Sequence, residues 1–303
     1  MAKFVVGVTA ALLCSGALLS ALAADGTSSE GRAIPNFNPD GLTAWTTNRP
    51  DHDDFMPPPS GPGPVTFDPA HPYVPNQSGQ PTYRVADLTN PILKDWAKEQ
   101  MKKANDEVLA GKVPFIARER CWPIGVPGFV IWNRGQPLHI IQTPTKVLMI
   151  NELYAITRHI YLDVPHSKNP KPSWWGESVG HYEGDTLVVD TIGIDERTWV
   201  DGFGTPHTKE LHVIERFRLI EDGNVLEATV RVDDPGAFTT PWTGIQLFRQ
   251  YEAAVRKMPI ERIAQLASAP EGPLAELICA ENPNSFFPNQ AVVKIPTAVK
   301  PDF

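Results

Sequence analysis

The chain predicts a mainly β protein: an antiparallel barrel carrying a proline-rich N-terminal arm and a few peripheral helices. Short apolar runs with period-two alternation follow one another closely from residue 138 onward, each bounded by turn residues. Asp222-Gly223 falls between two of these runs, a strong hairpin signal, because a type I′ turn needs positive φ at both central residues. Strands and helices nowhere alternate as a parallel sheet requires. Closing on itself is how a set of roughly seven to nine short strands removes its edges.

Taken in order, residues 1–23 read as a signal peptide. Lys3 gives a positive end, Phe4 to Leu22 is almost wholly apolar, and Ala21-Leu22-Ala23 suits signal peptidase. The expectation is a periplasmic or secreted protein with no membrane insertion after cleavage; the alternative is a retained anchor. Cys14 follows Leu13, which does not suit a lipoprotein signal. The remaining cysteines are Cys121 and Cys279, and an even pair in an exported chain reads as one disulfide. Such a bridge closes a very long loop and contributes ~3–5 kcal/mol in the chain-entropy model; two unrelated buried thiols are the other reading.

Residues 24–89 form an extended arm rich in Pro, Asn, Asp and Gly. It holds a polyproline-like run, Met56 to Pro64, and one short strand, Gly41 to Trp45. Residues 90–290 are expected to hold a helix and the barrel. The helix spans Asn90 to Gly111, with Leu93, Trp96, Met101 and Val108 as its apolar positions. Cys121 to Gly128 reads as a rigid turn-rich loop. Strands are expected at 138–142, 146–151, 155–163, 186–191, 211–220, 225–233 and 243–251. Two short helical candidates follow, at 260–267 and 274–280, and 291–303 is a tail.

A net charge of −8 and a pI near 5.5 argue against nucleic acid or an anionic membrane as the main partner. Ionisable groups concentrate between Gly176 and Asp234, where Glu177, Glu183, Asp185, Asp190, Asp201, His207, His212, Glu215, Arg231 and Asp233 all fall. A purely structural hairpin does not need that many.

Several motifs together resemble a family of exported, mostly uncharacterised bacterial proteins. They are I-I-Q-T-P (Ile140 to Pro144), Asn151-Glu152, Arg158 with Asp163, and G-E-S-V-G-H-Y-E-G-D-T-L-V-V-D-T (Gly176 to Thr191). Asp201, G-T-P-H-T (Gly204 to Thr208), L-H-V-I-E-R-F (Leu211 to Phe217), V-D-D-P (Val232 to Pro235), Gly41 with Trp45, and the cysteine pair also fit. The resemblance implies a lipocalin-type (calycin) barrel in which the early Gly-x-x-x-Trp strand helps close one end. It also implies that some relatives are cofactor-independent lyases of lignin-derived aromatic dimers, releasing CO₂ or formaldehyde and leaving a stilbene. Tyr182, Ile194 and Val164-Pro165 depart from the family pattern, which bears on pocket shape and substrate.

Such a reaction needs no metal and no redox cofactor. It needs a base near neutral pKa, an acid, a donor for any carboxylate and an aromatic-lined cavity. The candidates are His207 and His212 as acid and base, with Asp190 or Glu215 orienting a histidine. Arg158 and Glu152 would hold a carboxylate, or Arg158 would form a buried structural pair with Glu152 or Asp190. Tyr161, Trp175, Tyr182 and Trp242 would wall the cavity. The expected partner is thus a small aromatic molecule, and a periplasmic carrier for a hydrophobic compound is the alternative to a lyase.

Each candidate also has a plainer reading. His207 follows Pro206 and could serve only its turn, and Gly184-Asp185 reads as a hairpin turn. Metal binding by His207, His212 and Glu215 is disfavoured, because residues 212 and 215 on one strand point to opposite faces. Gly176 to Gly180 fits G-x-S-x-G on paper, but a nucleophile elbow needs a strand before it and a helix after it.

Overall fold

The computed structural model describes residues 33–41, 43–48, 54–72, 85–110, 121–131, 137–151 and 156–251. Nine strands close into one barrel with neighbours in chain order: β1 Ala44–Thr47, β2 Leu138–Gln142, β3 Lys146–Asn151, β4 Ile156–Leu162, β5 Glu177–Glu183, β6 Thr186–Ile192, β7 His212–Ile220, β8 Val225–Asp233 and β9 Trp242–Gln250. β9 pairs back with β1, so the sheet has no free edge among these strands.

The barrel is mixed rather than antiparallel. β4 and β5 run parallel, sharing only Tyr161↔Val179 and Leu162↔Gly180, whereas β7 and β8 stay in register from His212↔Asp233 to Ile220↔Val225. Alternation reports which side chains face inward and carries no information on strand direction. Parallel neighbours need a crossover of about a dozen residues or more, and residues 163–176 supply it. Gly184 and Asp185 do form the tight turn between β5 and β6, with Gly184 at φ 59°. The Asp222-Gly223 hairpin also forms, with positive φ at Glu221, Asp222 and Gly223.

Period-two alternation fixes what each strand buries. On β7, Val213, Glu215 and Phe217 are buried while Arg216 and Arg218 are exposed; on β8, Leu226, Ala228, Val230 and Val232 are buried. Inward side chains from all round the wall expose no area, among them Ile140, Met149, Leu187, Val189, Phe217, Leu226 and Phe248. A side chain with no accessible area has no water-sized void beside it, so these positions are filled core.

The arm runs along β9. Met56 exchanges backbone hydrogen bonds with Ile245, and Thr243 donates its N–H to the carbonyl of Pro62. Prolines can accept in this way but not donate. Phe55 lies over Gly244, where an added Cβ would come within 2.7 Å of the Phe55 Cβ, and its ring meets Trp242 edge-on. The short first strand, expected at Gly41 to Trp45, falls at Ala44–Thr47 and overlaps the expectation only at Ala44 and Trp45, and the buried Trp45 indole donates to the Phe37 carbonyl.

α1, Asp95–Leu109, lies within the expected helix, but its inward stripe is Ala97, Met101, Asn105 and Val108. Trp96 lies at the surface, its indole donating to Gly236 O. Asn105 is buried because it exchanges two hydrogen bonds with the backbone of Ala86, so a polar residue takes a core position. The turn-rich loop at 121–128 runs into a four-residue helix, α2 Gly128–Ile131, wholly buried and too short to show a period. Glu152, Cys279 with the disulfide assigned to it, the signal peptide, the helical candidates at 260–267 and 274–280 and the tail all lie outside the described residues.

Candidate functional site

The parallel seam positions the site. β4 and β5 pair at one end and diverge at the other, and the crossover segment lies beside the gap. Together they form a cleft of about 620 Å³. Thr157, His159 and Tyr161 come from the outward face of β4; Ser167, Asn169, Lys171, Ser173 and Trp175 come from the crossover; Arg158, Glu177 and Ser178 complete it. Gly176 makes the entry to β5. It holds φ 65°, and a Cβ there would lie 2.6 Å from the Ile192 carbonyl oxygen. Trp175 is backed edge-on by Phe129 of α2 at 5.9 Å, and the same ring lies 5.8 Å from the Arg158 guanidinium.

Arg158 faces inward at 1 % exposure, as expected, but its partner is Glu215, at 0 %. Nη1 donates to Glu215 Oε1 at 2.9 Å and Nη2 donates to Oε2, while Nε and Nη2 reach Ser178 Oγ and Nη2 also reaches Thr191 Oγ1. The carboxylate that this fork was expected to bind from a ligand is therefore supplied by the protein. Glu215 orients no histidine, because β7 alternation turns it away from His212. A buried charge that is not compensated is very costly, which is why the two occur together.

The two predicted histidines do not share a cavity. His207 is buried at 4 % exposure in the β6–β7 loop, with Nδ1 donating to Thr208 O and Nε2 at 2.9 Å from Thr198 Oγ1. Burial pushes its imidazole below the ordinary histidine value. It holds the loop shut, the plainer of its two readings. Asp201 and Asp234 act similarly, accepting from Phe203, Thr205, Thr208, Gly236 and Ala237.

His212 is on the outer face of β7 at 37 % exposure and belongs to a hydrogen-bonded chain. Its Nε2 lies 2.8 Å from Asp190 Oδ1, the same oxygen lies 3.0 Å from His166 Nε2, and His166 Nδ1 lies 2.9 Å from Glu177 Oε1. Asp190 thus does orient a histidine, and in fact two. Burial raises its carboxyl, but hydrogen bonds from His212 and His166 outweigh that and hold it below the usual aspartate value. The bond to Asp190 raises the His212 imidazole above its ordinary value despite partial burial. Contacts from Ser167 hold the Glu177 carboxyl low. Glu177 is the member of this chain that reaches the cleft.

Of the expected aromatic walls, Trp175 and Tyr161 line the cleft. Tyr182 faces inward elsewhere, accepting from Gln142 Nε2 at 2.8 Å, and Trp242 is buried between Phe55 and Phe238. Alternation alone cannot say which inward rings reach a space and which are packed. Sequence reading missed His166, in a loop with no periodicity, and His159, outward on β4. The Val164-Pro165 departure directly before His166 was the available signal. Ser178 lies inside β5, not at a strand-to-helix turn, and its hydroxyl meets Arg158 and Thr191.

His212 and Glu215 point to opposite faces of β7, and among the described residues no three His, Cys, Asp or Glu side chains are arranged to hold a metal ion. Among the described residues, no helix is long and apolar enough to cross a membrane. Comparison of the chain with protein-family models, curated proteins and solved structures gives no match, so any functional reading rests on this geometry and on the residues themselves.

Proposed function

We propose that this chain is an exported, cofactor-independent lyase that cleaves a carbon–carbon bond in a bulky phenolic compound bound in the β4–β5 cleft. The observation that carries the reading is an open cleft with aromatic walls, Trp175 and Tyr161, lined also by two side chains of titratable type, Glu177 and His159. The apolar leader at residues 1–23 supports export, and the motif resemblance supports a lignin-derived aromatic dimer as the substrate class.

The chemistry follows from the substrate. A base, assigned to His159, takes the phenolic proton, and the phenolate pushes electrons through the ring to expel the benzylic oxygen group. An acid, assigned to Glu177, protonates that oxygen as it leaves. The side-chain hydroxyl then gives its proton to water as formaldehyde is released. The electron pair of the breaking C–C bond restores the aromatic ring, and the phenolate regains a proton. The products are a stilbene, formaldehyde and the protonated leaving group, with no net oxidation or reduction. Trp175 holds the ring, and Arg158 fixes the Ser178 hydroxyl at the floor without offering its own charge.

The test is incubation of the purified protein with phenylcoumaran- and diarylpropane-type phenols, following stilbene absorbance and formaldehyde. Failure to form either product, with or without added metals, refutes the lyase. One observation favours a periplasmic carrier instead: the cleft floor holds a neutralised cation and hydroxyls. A carrier keeps its affinity when Glu177 and His159 are replaced by Gln, whereas a lyase loses turnover.

A further inference from the structure

We infer that Glu177, His166, Asp190 and His212 form a proton relay in which His166 is held as an imidazolium and Glu177 passes its proton to the ligand in the cleft. This rests on the reading of the cleft as an acid–base site, and it assigns positioning roles to three residues that line no part of it.

Donor counting carries the inference. His166 places both ring nitrogens on carboxylate oxygens, Nδ1 on Glu177 Oε1 at 2.9 Å and Nε2 on Asp190 Oδ1 at 3.0 Å. An ionised carboxylate only accepts, so both bonds form together only if both nitrogens carry hydrogen, which makes the ring a cation. Glu177 and Asp190 are both held toward the ionised form by the groups around them. The backbone N–H of Ser167 also donates to Glu177 Oε1, at 2.7 Å, fixing the carboxylate at the cleft rim.

His212 completes the arrangement. It brings a second Nε2 to the oxygen that His166 uses, so the two imidazoles share one negative charge and Asp190 grips His166 less tightly. The charged groups facing His212 are Asp190 from β6, and Asp233 and Arg231 from β8. Asp233 lies opposite His212 in register, and Arg231 bridges Asp233 at 3.1 Å.

In the relay step the Nδ1–H bond of His166 breaks and that proton moves to Glu177. Glu177 gives its proton to the departing oxygen of the ligand, where the new O–H bond forms. His166 is left neutral, still donating from Nε2 to Asp190, and water returns the proton afterwards. The ligand class is a compound with a benzylic oxygen leaving group, an aryloxide in a phenylcoumaran-type phenol.

Nitrogen-15 NMR of the full chain at pH 7 tests the charge assignment without any ligand. The expected result is an imidazolium signature for His166 that is lost in E177Q and in D190N. A neutral His166 in the wild-type protein overturns the relay whatever the activity. The second arm is turnover of a phenylcoumaran-type phenol: H166Q is expected to lose about 10²–10⁴-fold while still binding the compound, with folding checked by its melting curve. Unchanged turnover in a folded H166Q also overturns the relay. A cationic His166 in a protein that converts no such compound sinks the lyase reading alone and leaves the charge assignment standing.

Discussion

Replacing Glu215 by Leu removes one partner of the barrel's buried ion pair and keeps a similar side-chain volume. Arg158 is 1 % exposed and Glu215 0 %, so neither water nor movement to the surface can replace the lost carboxylate. What remains around the guanidinium is two neutral hydroxyls, Ser178 and Thr191, and the Phe129 ring, with no second charge among the described residues to replace the carboxylate. Breaking a buried pair on one side costs about 3–5 kcal/mol, because an uncompensated charge stays in the interior. Glu215→Gln should cost less, since the amide oxygen still accepts one of the two bonds. The double variant Arg158→Met, Glu215→Leu should recover most of the loss, as apolar groups of like volume often equal a buried pair. Urea unfolding followed by tryptophan fluorescence measures all four proteins. The reasoning fails if Glu215→Leu unfolds within about 1 kcal/mol of wild type at unchanged m-value. It also fails if the double variant is less stable than Glu215→Leu alone.

Other outcomes follow from single contacts. Gly176→Ala puts a Cβ 2.6 Å from the Ile192 carbonyl at positive φ, so it should lower stability by about 1–3 kcal/mol and weaken ligand binding at the cleft entrance; an unchanged melting curve refutes the clash. His207→Ala should cost about 1–3 kcal/mol by leaving Thr208 O without its donor. Burial holds the folded-state imidazole below its unfolded value, so the variant should also lose the drop in stability that wild type shows as pH falls below about 6.5, and an unchanged acid slope in the variant refutes the assignment. The folded-state value of His212 lies above the unfolded one, so its contribution is fully present below about pH 6.5 and fades as pH rises through the folded value. His212→Gln should remove that loss of stability on raising the pH, and a wild-type slope in the variant refutes the assignment.

The barrel was readable because its strands obey a period of two and its turns carry Gly and Asp where φ is positive. β2, β3, β7 and β8 follow directly from Leu138, Lys146, the Leu211 run and Asp222-Gly223. The candidate site was readable only in part. Arg158 was recognisable as inward, but Glu215 was read only as a candidate to orient a histidine, and nothing in the spacing says that residues 57 positions apart will meet. Asp190 was rightly given a histidine to orient, and His212 was rightly placed on the face opposite Glu215. His207 and Trp242 pack against the protein itself, and burial looks the same in a sequence whether the neighbour is a ligand or the protein. His166 escaped notice because a crossover loop has no pattern, and its meaning appears only once β5 and β6 lie beside it.

The candidate cleft lies along the parallel seam of the barrel. Where neighbouring strands stay in register over a long ladder, side chains on the outer face pack in rows and leave no depression. β4 and β5 share two positions and then separate, so the chain must return across the gap through residues 163–176. That return brings Trp175 over the opening and His166 between Glu177 and Asp190, three groups that no single strand could present together. It also sets Arg158 at the floor, where only a paired charge is tolerable, and Glu215 across the barrel supplies the pair. Among the described residues the interior is packed to hold the wall together, and the cleft lies on the outside, where the β4–β5 ladder is short.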